Sequence, residues 1–210
     1  MKKLLLIALV FIGFSGFSQT FKSGAILGVS AAQVEGDGYG GYKKPGVIIG
    51  GFTNTDLSAH LSLQFEIYYI GKGARKVPDP ANGDFASFNL RLNYIEIPLL
   101  LRYQHKSFFL ELGGYYGYLL NVKLEDQFGE RDIQNEPYPF KSGDLGGVLG
   151  LEYHFNDNFI INFRTKNSLV PIRDFQNQDL NVGILNKLFN RGWYNVDLNF
   201  TLRYQLVGKK

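Results

Sequence analysis

Three histidines, His60, His105 and His154, are the first residues to weigh for chemistry, because imidazoles converging from separate segments ligate zinc or relay protons. Each sits beside a short polar link between alternating runs, so they are expected at one rim as turn or interface histidines without a common centre. Ser168 and Asp174 supply a nucleophile and an acid in the longest connection. Acyl transfer also needs a base within reach of the nucleophile, and all three histidines are assigned to the opposite end. Glu125, Asp126, Glu130 and Asp132 in LEDQFGERD lack the D-x-[DN]-x-[DN]-G spacing of a calcium loop and are expected in a solvated outer loop. Gly36, Gly38, Gly40 and Gly41 precede no G-K-[ST], which leaves a flexible loop rather than a phosphate cradle. With no cysteine, thiolate metal sites and disulfides are excluded. No catalytic, cofactor-binding or metal-binding set is expected, no cofactor is implied, and the reading is non-enzymatic.

The elements that carry these residues are strands. The chain of 210 residues holds 18 Phe, 13 Tyr and 25 Gly, a load typical of strands and tight junctions. Residues 1–18, MKKLLLIALVFIGFSGFS, combine Lys2 and Lys3 with an apolar run too short to span a bilayer and small residues at 16 and 18. They are expected to be a cleaved signal peptide, with 19–210 the barrel domain. Without Lys2 and Lys3 little of the formal charge of +3 remains, and no basic block argues for nucleic acid.

Period-two alternation runs through the rest. From Tyr194 to Leu206, YNVDLNFTLRYQL sets Tyr194, Val196, Leu198, Phe200, Leu202, Tyr204 and Leu206 against Asn195, Asp197, Asn199, Thr201, Arg203 and Gln205. The same division separates Leu63, Phe65, Ile67 and Tyr69 from Gln64 and Glu66. It also separates Leu110, Leu112, Tyr116, Tyr118, Leu120 and Val122 from Glu111, Tyr115 and Asn121. In 88–103 the phase is expected to change, with Phe88, Leu90, Leu92 and Tyr94 outward and then Ile95, Ile97, Leu99 and Leu101. A bulge near Tyr94 or a break at Pro98 would accommodate it.

Eight strands result, joined by connections that alternate long and short. That pattern predicts an all-β fold: an eight-stranded antiparallel transmembrane β-barrel with short periplasmic turns and long extracellular loops, in the outer membrane. Aromatic residues near strand ends, Tyr69, Tyr103, Trp193 and Tyr194, suit the interfaces. The row opposite the apolar one then faces inward. It carries Glu66, Glu96, Arg102, Glu111, Glu152, Arg164, Lys166, Asp197 and Arg203, whose signs balance closely enough to pair. Eight strands enclose little more than side chains, so no large open pore is expected. Gly146 and Gly150 leave room beside long inward residues. A narrow channel for small solutes and a secreted soluble β-barrel binding protein are the competing readings. Expected partners are outer-membrane lipid and lipopolysaccharide, together with an envelope or external partner reached through the long loops; a monomer is expected.

Tyr94 to Tyr103, YIEIPLLLRY, closely resembles the Y-[IL]-E-[IL]-P-L-L-x-[KR]-Y segment of the outer-membrane β-barrel domain family that includes PorT-like proteins of Bacteroidota. GGYYGYLL at 113–120 and residues 144–155 resemble later strands of that family. The resemblance implies a small outer-membrane barrel without a settled general activity. The loops offer nothing that selects the specialised secretion role of PorT.

Overall fold

The computed structural model describes residues 21–174 and 192–206; the expected signal segment and residues 175–191 lie outside them. Among the described residues nine strands form one antiparallel sheet: β1 (Phe21–Glu35), β2 (Lys44–Asp56), β3 (Leu61–Lys76), β4 (Phe88–His105), β5 (Phe108–Asp126), β6 (Gly129–Arg131), β7 (Gly143–His154), β8 (Phe159–Ser168) and β9 (Tyr194–Leu206). Their order is β4-β3-β2-β1-β9-β8-β7-β5-β6, and β4 also pairs with β5. The pairings of the eight long strands therefore return to their start, and β6 is a short hairpin extension of β5. Connections 57–60, 106–107 and 155–158 are short and lie at the end where Lys22 pairs with Asp56 and Gln205 donates its N–H to the Asn158 carbonyl. The long connections, which carry two 3-10 turns at Pro80–Asn82 and Ile133–Asn135, lie at the other end.

Alternation places apolar residues outward and charges inward through most of the sheet's height. Leu110, Leu112, Tyr116 and Tyr118 of β5 are exposed, whereas Glu111 and Tyr115 between them are buried. This inverts a water-soluble sandwich, in which the apolar faces meet and the charges are solvated.

The expected phase change in β4 does not occur. Leu90, Leu92, Tyr94, Glu96, Leu100 and Arg102 are all buried on one face, with Arg91, Ile97, Leu99 and Leu101 exposed on the other. Phase is kept and the surroundings change. At the long-loop end Leu90, Leu92 and Tyr94 join Ile70, Ala74, Leu124, Ile133, Phe140, Ile172 and Trp193 in an apolar core, while the outer face there is polar. The bulge lies at the expected height but in the neighbouring strand. Asn93 faces Asn121 and Tyr94 faces Leu119, so Leu120 is the extra residue. It flips β5, and Val122 packs against the core instead of facing outward. Strand β4 passes through Pro98, which pairs with Tyr115, without a break.

The aromatic assignment also needs correction at one end. Trp193 and Tyr194 are 6% and 0% exposed, and Trp193 meets the Phe140 ring edge-on at 5.7 Å, so neither belongs to an interfacial girdle. Tyr103 is exposed as expected.

Candidate functional site

The enclosed face carries the molecule's main charge constellation, in two tiers. Strand β8 projects Arg164 and, two residues on, Lys166; strand alternation alone puts both inward. In the tier nearer the short turns, Arg164 grips two glutamates in bidentate fashion. Its Nη1 and Nη2 each donate at 2.7 Å to Glu66 of β3, and its Nε and Nη2 donate at 2.7 and 2.9 Å to Glu111 of β5. Arg203 of β9 donates to Glu152 at 2.6 Å and lies 3.2 Å from Glu66. Arg102 of β4 pairs with Glu152, whose Oε1 is also 2.6 Å from His154 Nε2. Three arginines thus face three glutamates, all buried. Gly150 makes this packing feasible: a Cβ there would lie 2.6 Å from Glu111 Oε2 and 2.7 Å from Arg164 Cγ.

The second tier is built on lysines. Lys72 of β3 lies 2.5 Å from Glu96, 3.3 Å from Asp144 and 3.1 Å from Asp197, and Lys166 pairs with Glu96 and, at 3.2 Å, with Asp197. Both ammonium groups lie near the Tyr115 ring, at 4.5 and 5.0 Å from its centroid. Gly146 leaves space for that ring, since a Cβ there would lie 2.3 Å from Tyr115 Cε1. Ser168 donates to Asp144 at 2.7 Å, and Asn195 donates to the same carboxylate at 2.9 Å. Chains of charge-assisted hydrogen bonds of this kind hold side chains in single positions.

The nine charged residues assigned inward from alternation, Glu66, Glu96, Arg102, Glu111, Glu152, Arg164, Lys166, Asp197 and Arg203, are all buried together, whereas Asn121, expected on the same row, is turned outward by the bulge in β5. Lys72 and Asp144 were missed. Lys72 is followed by Gly73 and looks like the start of a connection, although the row Ser62, Gln64, Glu66, Tyr68, Ile70 reaches it in unbroken step. Ser168, expected in the outer loop, ends β8 inside the second tier. Asp174 pairs with Lys141 at 2.8 Å, well apart from it in role.

Below the arginine tier, at the short-turn end, a cavity of about 600 Å³ is lined by Asn54, Ser62, Arg102, His154 and Gln205 among others. His60 and His105 are exposed at this end, and His154 is half-buried against Glu152 and Phe109. No metal-binding group of three ligands occurs among the described residues. At the opposite end Glu125, Glu130 and Asp126 pair with Arg91, Lys123 and Arg131 at 3.0, 3.6 and 3.6 Å. Asp37, in the connection after β1, accepts the Tyr39 N–H at 2.8 Å, yet burial outweighs that bond and pushes its carboxyl up to about 7.

Among solved structures, Neisserial surface protein A aligns over 90% of this chain and 100% of its own at 12% identity, with a TM-score of 0.50. Ail, the attachment invasion locus protein of Yersinia pestis, aligns over 89% and 99% at 12% identity and a TM-score of 0.48. CarO of Acinetobacter baumannii aligns over 87% and 96% at 9% identity and 0.44. The likeness to Neisserial surface protein A shows the fold alone. No curated protein matches the chain in sequence. Residues 17–174 match the sequence profile described as outer membrane protein beta-barrel domain. The outer membrane is accordingly the compartment of this protein. With charges locked inside an antiparallel sheet whose apolar rows face outward, the chain belongs to the outer membrane protein beta-barrel domain family.

Proposed function

We propose that the eight long strands close as a monomeric transmembrane barrel with a filled lumen, acting through its walls and outward loops rather than as a pore. The observation that carries this reading is the pair Arg164–Glu66, which joins β8 to β3 across the enclosed space. The two strands stand four places apart in the ring of eight, so the pair crosses its width. Among the described residues the lysine tier and the apolar core stack behind it, above the short-turn cavity. Short turns face the periplasm and long connections face outward, as is usual for such barrels. Residues 1–18 act as the cleaved export signal. The match of YIEIPLLLRY to the PorT-like segment supports a place among the small barrels of Bacteroidota, without the secretion role.

Single-channel recording of purified protein in planar bilayers tests this reading. The expected result is no stable conductance; reproducible porin-like steps from the wild type would replace it with the channel reading.

A further inference from the structure

The outer wall of β3, β4 and β5 changes character in steps toward the long-loop end. Ile95 faces Tyr118 across the ladder, both outward and apolar. Two residues higher comes an amide tier: the Tyr69 hydroxyl donates to Asn93 at 2.8 Å, and Asn93 donates to Asn121 at 2.6 Å. Two residues higher again, Arg91 faces Lys123. Arg75 projects from β3 opposite Asn89, one step further on. Each step is about 7 Å along the strand, the scale of a bilayer's headgroup layer, so a cationic tier follows directly on the end of the hydrocarbon-facing wall.

That tier is electrostatically incomplete. Like charges directly opposite on neighbouring strands oppose pairing, and Arg91 and Lys123 are such a pair. Glu125 and Glu130 reach them at 3.0 and 3.6 Å as exposed contacts, which contribute little. Arg75 has no ion-pair partner among the described residues, and Lys44 spends its ammonium on the Asn89 side-chain oxygen at 3.0 Å. On this outer wall Arg75, Arg91, Lys123 and Lys44 therefore stand against Glu125 and Glu130. A cleft of about 270 Å³ lined by Arg75, Lys76, Ser87, Asn89, Glu125 and Asp126 adjoins them, Asp126 being paired with Arg131 at 3.6 Å.

We propose that Arg75, Arg91 and Lys123 form a binding site on the outer wall for the phosphate groups of an outer-leaflet phosphoglycolipid, whose acyl chains lie along the apolar rows below. This rests on the outward orientation of the long loops given above. The amide tier holds the wall rigid at the glycolipid's sugar level, and the two guanidinium groups match phosphate oxygens in forked geometry. Lys44 stands at the margin.

The test uses the folded, purified barrel in neutral detergent, with thermal unfolding followed by heat-modifiable gel mobility. Titration with bis-phosphorylated lipid A is expected to raise the unfolding temperature of the wild type. Dephosphorylated lipid A and inorganic phosphate at equal concentration are expected to leave it unchanged. The triple variant Arg75→Gln, Arg91→Gln, Lys123→Gln, folded by the same mobility criterion, should need about a hundredfold more lipid A for half its effect. An equal response to dephosphorylated lipid, a response to inorganic phosphate alone, or an unchanged triple variant each overturns the site. Because the lipid arms use the wild type, they decide the matter even where the variant fails to fold. Protease accessibility of 127–142 on intact cells separates the two failures. Inaccessible loops overturn orientation and site together, whereas accessible loops with no lipid response overturn the site alone.

Discussion

Arg164 of β8 and Glu66 of β3 meet in a two-pronged ion pair, both prongs at 2.7 Å, from walls that face each other across the enclosed space. Glu111 occupies the remaining donors of the same guanidinium. An ion pair this deep is tolerable because nearly every lone pair and proton in it has a partner, and it is costly to leave half-made.

Replacement Arg164→Ala is expected to cost about 3–5 kcal/mol in unfolding free energy, because Glu66 and Glu111 lose their principal counter-charge. Denaturant titration of the refolded barrel measures it. A cost below about 1 kcal/mol would mean that water and Arg203 compensate fully.

In the lysine tier, Lys72→Met leaves Glu96 and Asp197 with Lys166 and takes from Asp144 its ion-pair partner, leaving it only the hydrogen bonds from neutral groups such as Ser168 and Asn195. A loss of about 3 kcal/mol or more is expected, and adding Asp144→Asn should restore part of it. The double-variant cycle provides the check; strict additivity would contradict a shared network.

Outside, Leu112 is 62% exposed on the apolar row of β5. Leu112→Arg should destabilise the barrel in lipid by about 2–4 kcal/mol, as expected near a bilayer midplane. Phe128→Arg, at the exposed turn beyond β5, should be near neutral. Equal costs for the two would remove the hydrocarbon belt from this wall.

Asp37 keeps its proton in the folded loop to about pH 7, whereas the unfolded chain releases it in the usual carboxylate range. The folded state therefore binds more protons between those limits, and the loop's stability is greatest below them and falls as pH rises through about 7. Amide exchange in 36–43, corrected for intrinsic rates, should show protection falling from pH 5 to pH 8 in the wild type. The variant Asp37→Asn should show a flat profile; a slope that survives the substitution would assign it to another group.

Strand identity, the inward row and the alternation of connections were legible because each depends on period two, which survives without any knowledge of neighbours. Gly150 was legible as a space-maker for the same reason: it shares a row with Glu152. What escaped depended on surroundings. Leu90, Leu92 and Tyr94 look like lipid-facing residues only if hydrocarbon extends to their height, and no local pattern states where it ends. Lys72 was lost because Gly71 and Gly73 look like loop punctuation, whereas Gly73, at φ 130°, passes within the strand close to the Leu90 carbonyl. Trp193 was misplaced because its burial depends on Phe140 and Arg173, which are remote in sequence.

The reversal of inside and outside along β4 bears on how the barrel comes to rest at one depth. Arg91, Lys123 and Glu125 stand on the outer wall at the long-loop end, and drawing any of them back into hydrocarbon is opposed by its lost hydration. The apolar core behind them is closed by Ile133, Phe140 and Trp193, which come from the connections at that end. In the orientation proposed above, the charged outer wall and the filled core together hold the barrel at one depth, like a rivet whose head lies on the far side of the sheet it fastens.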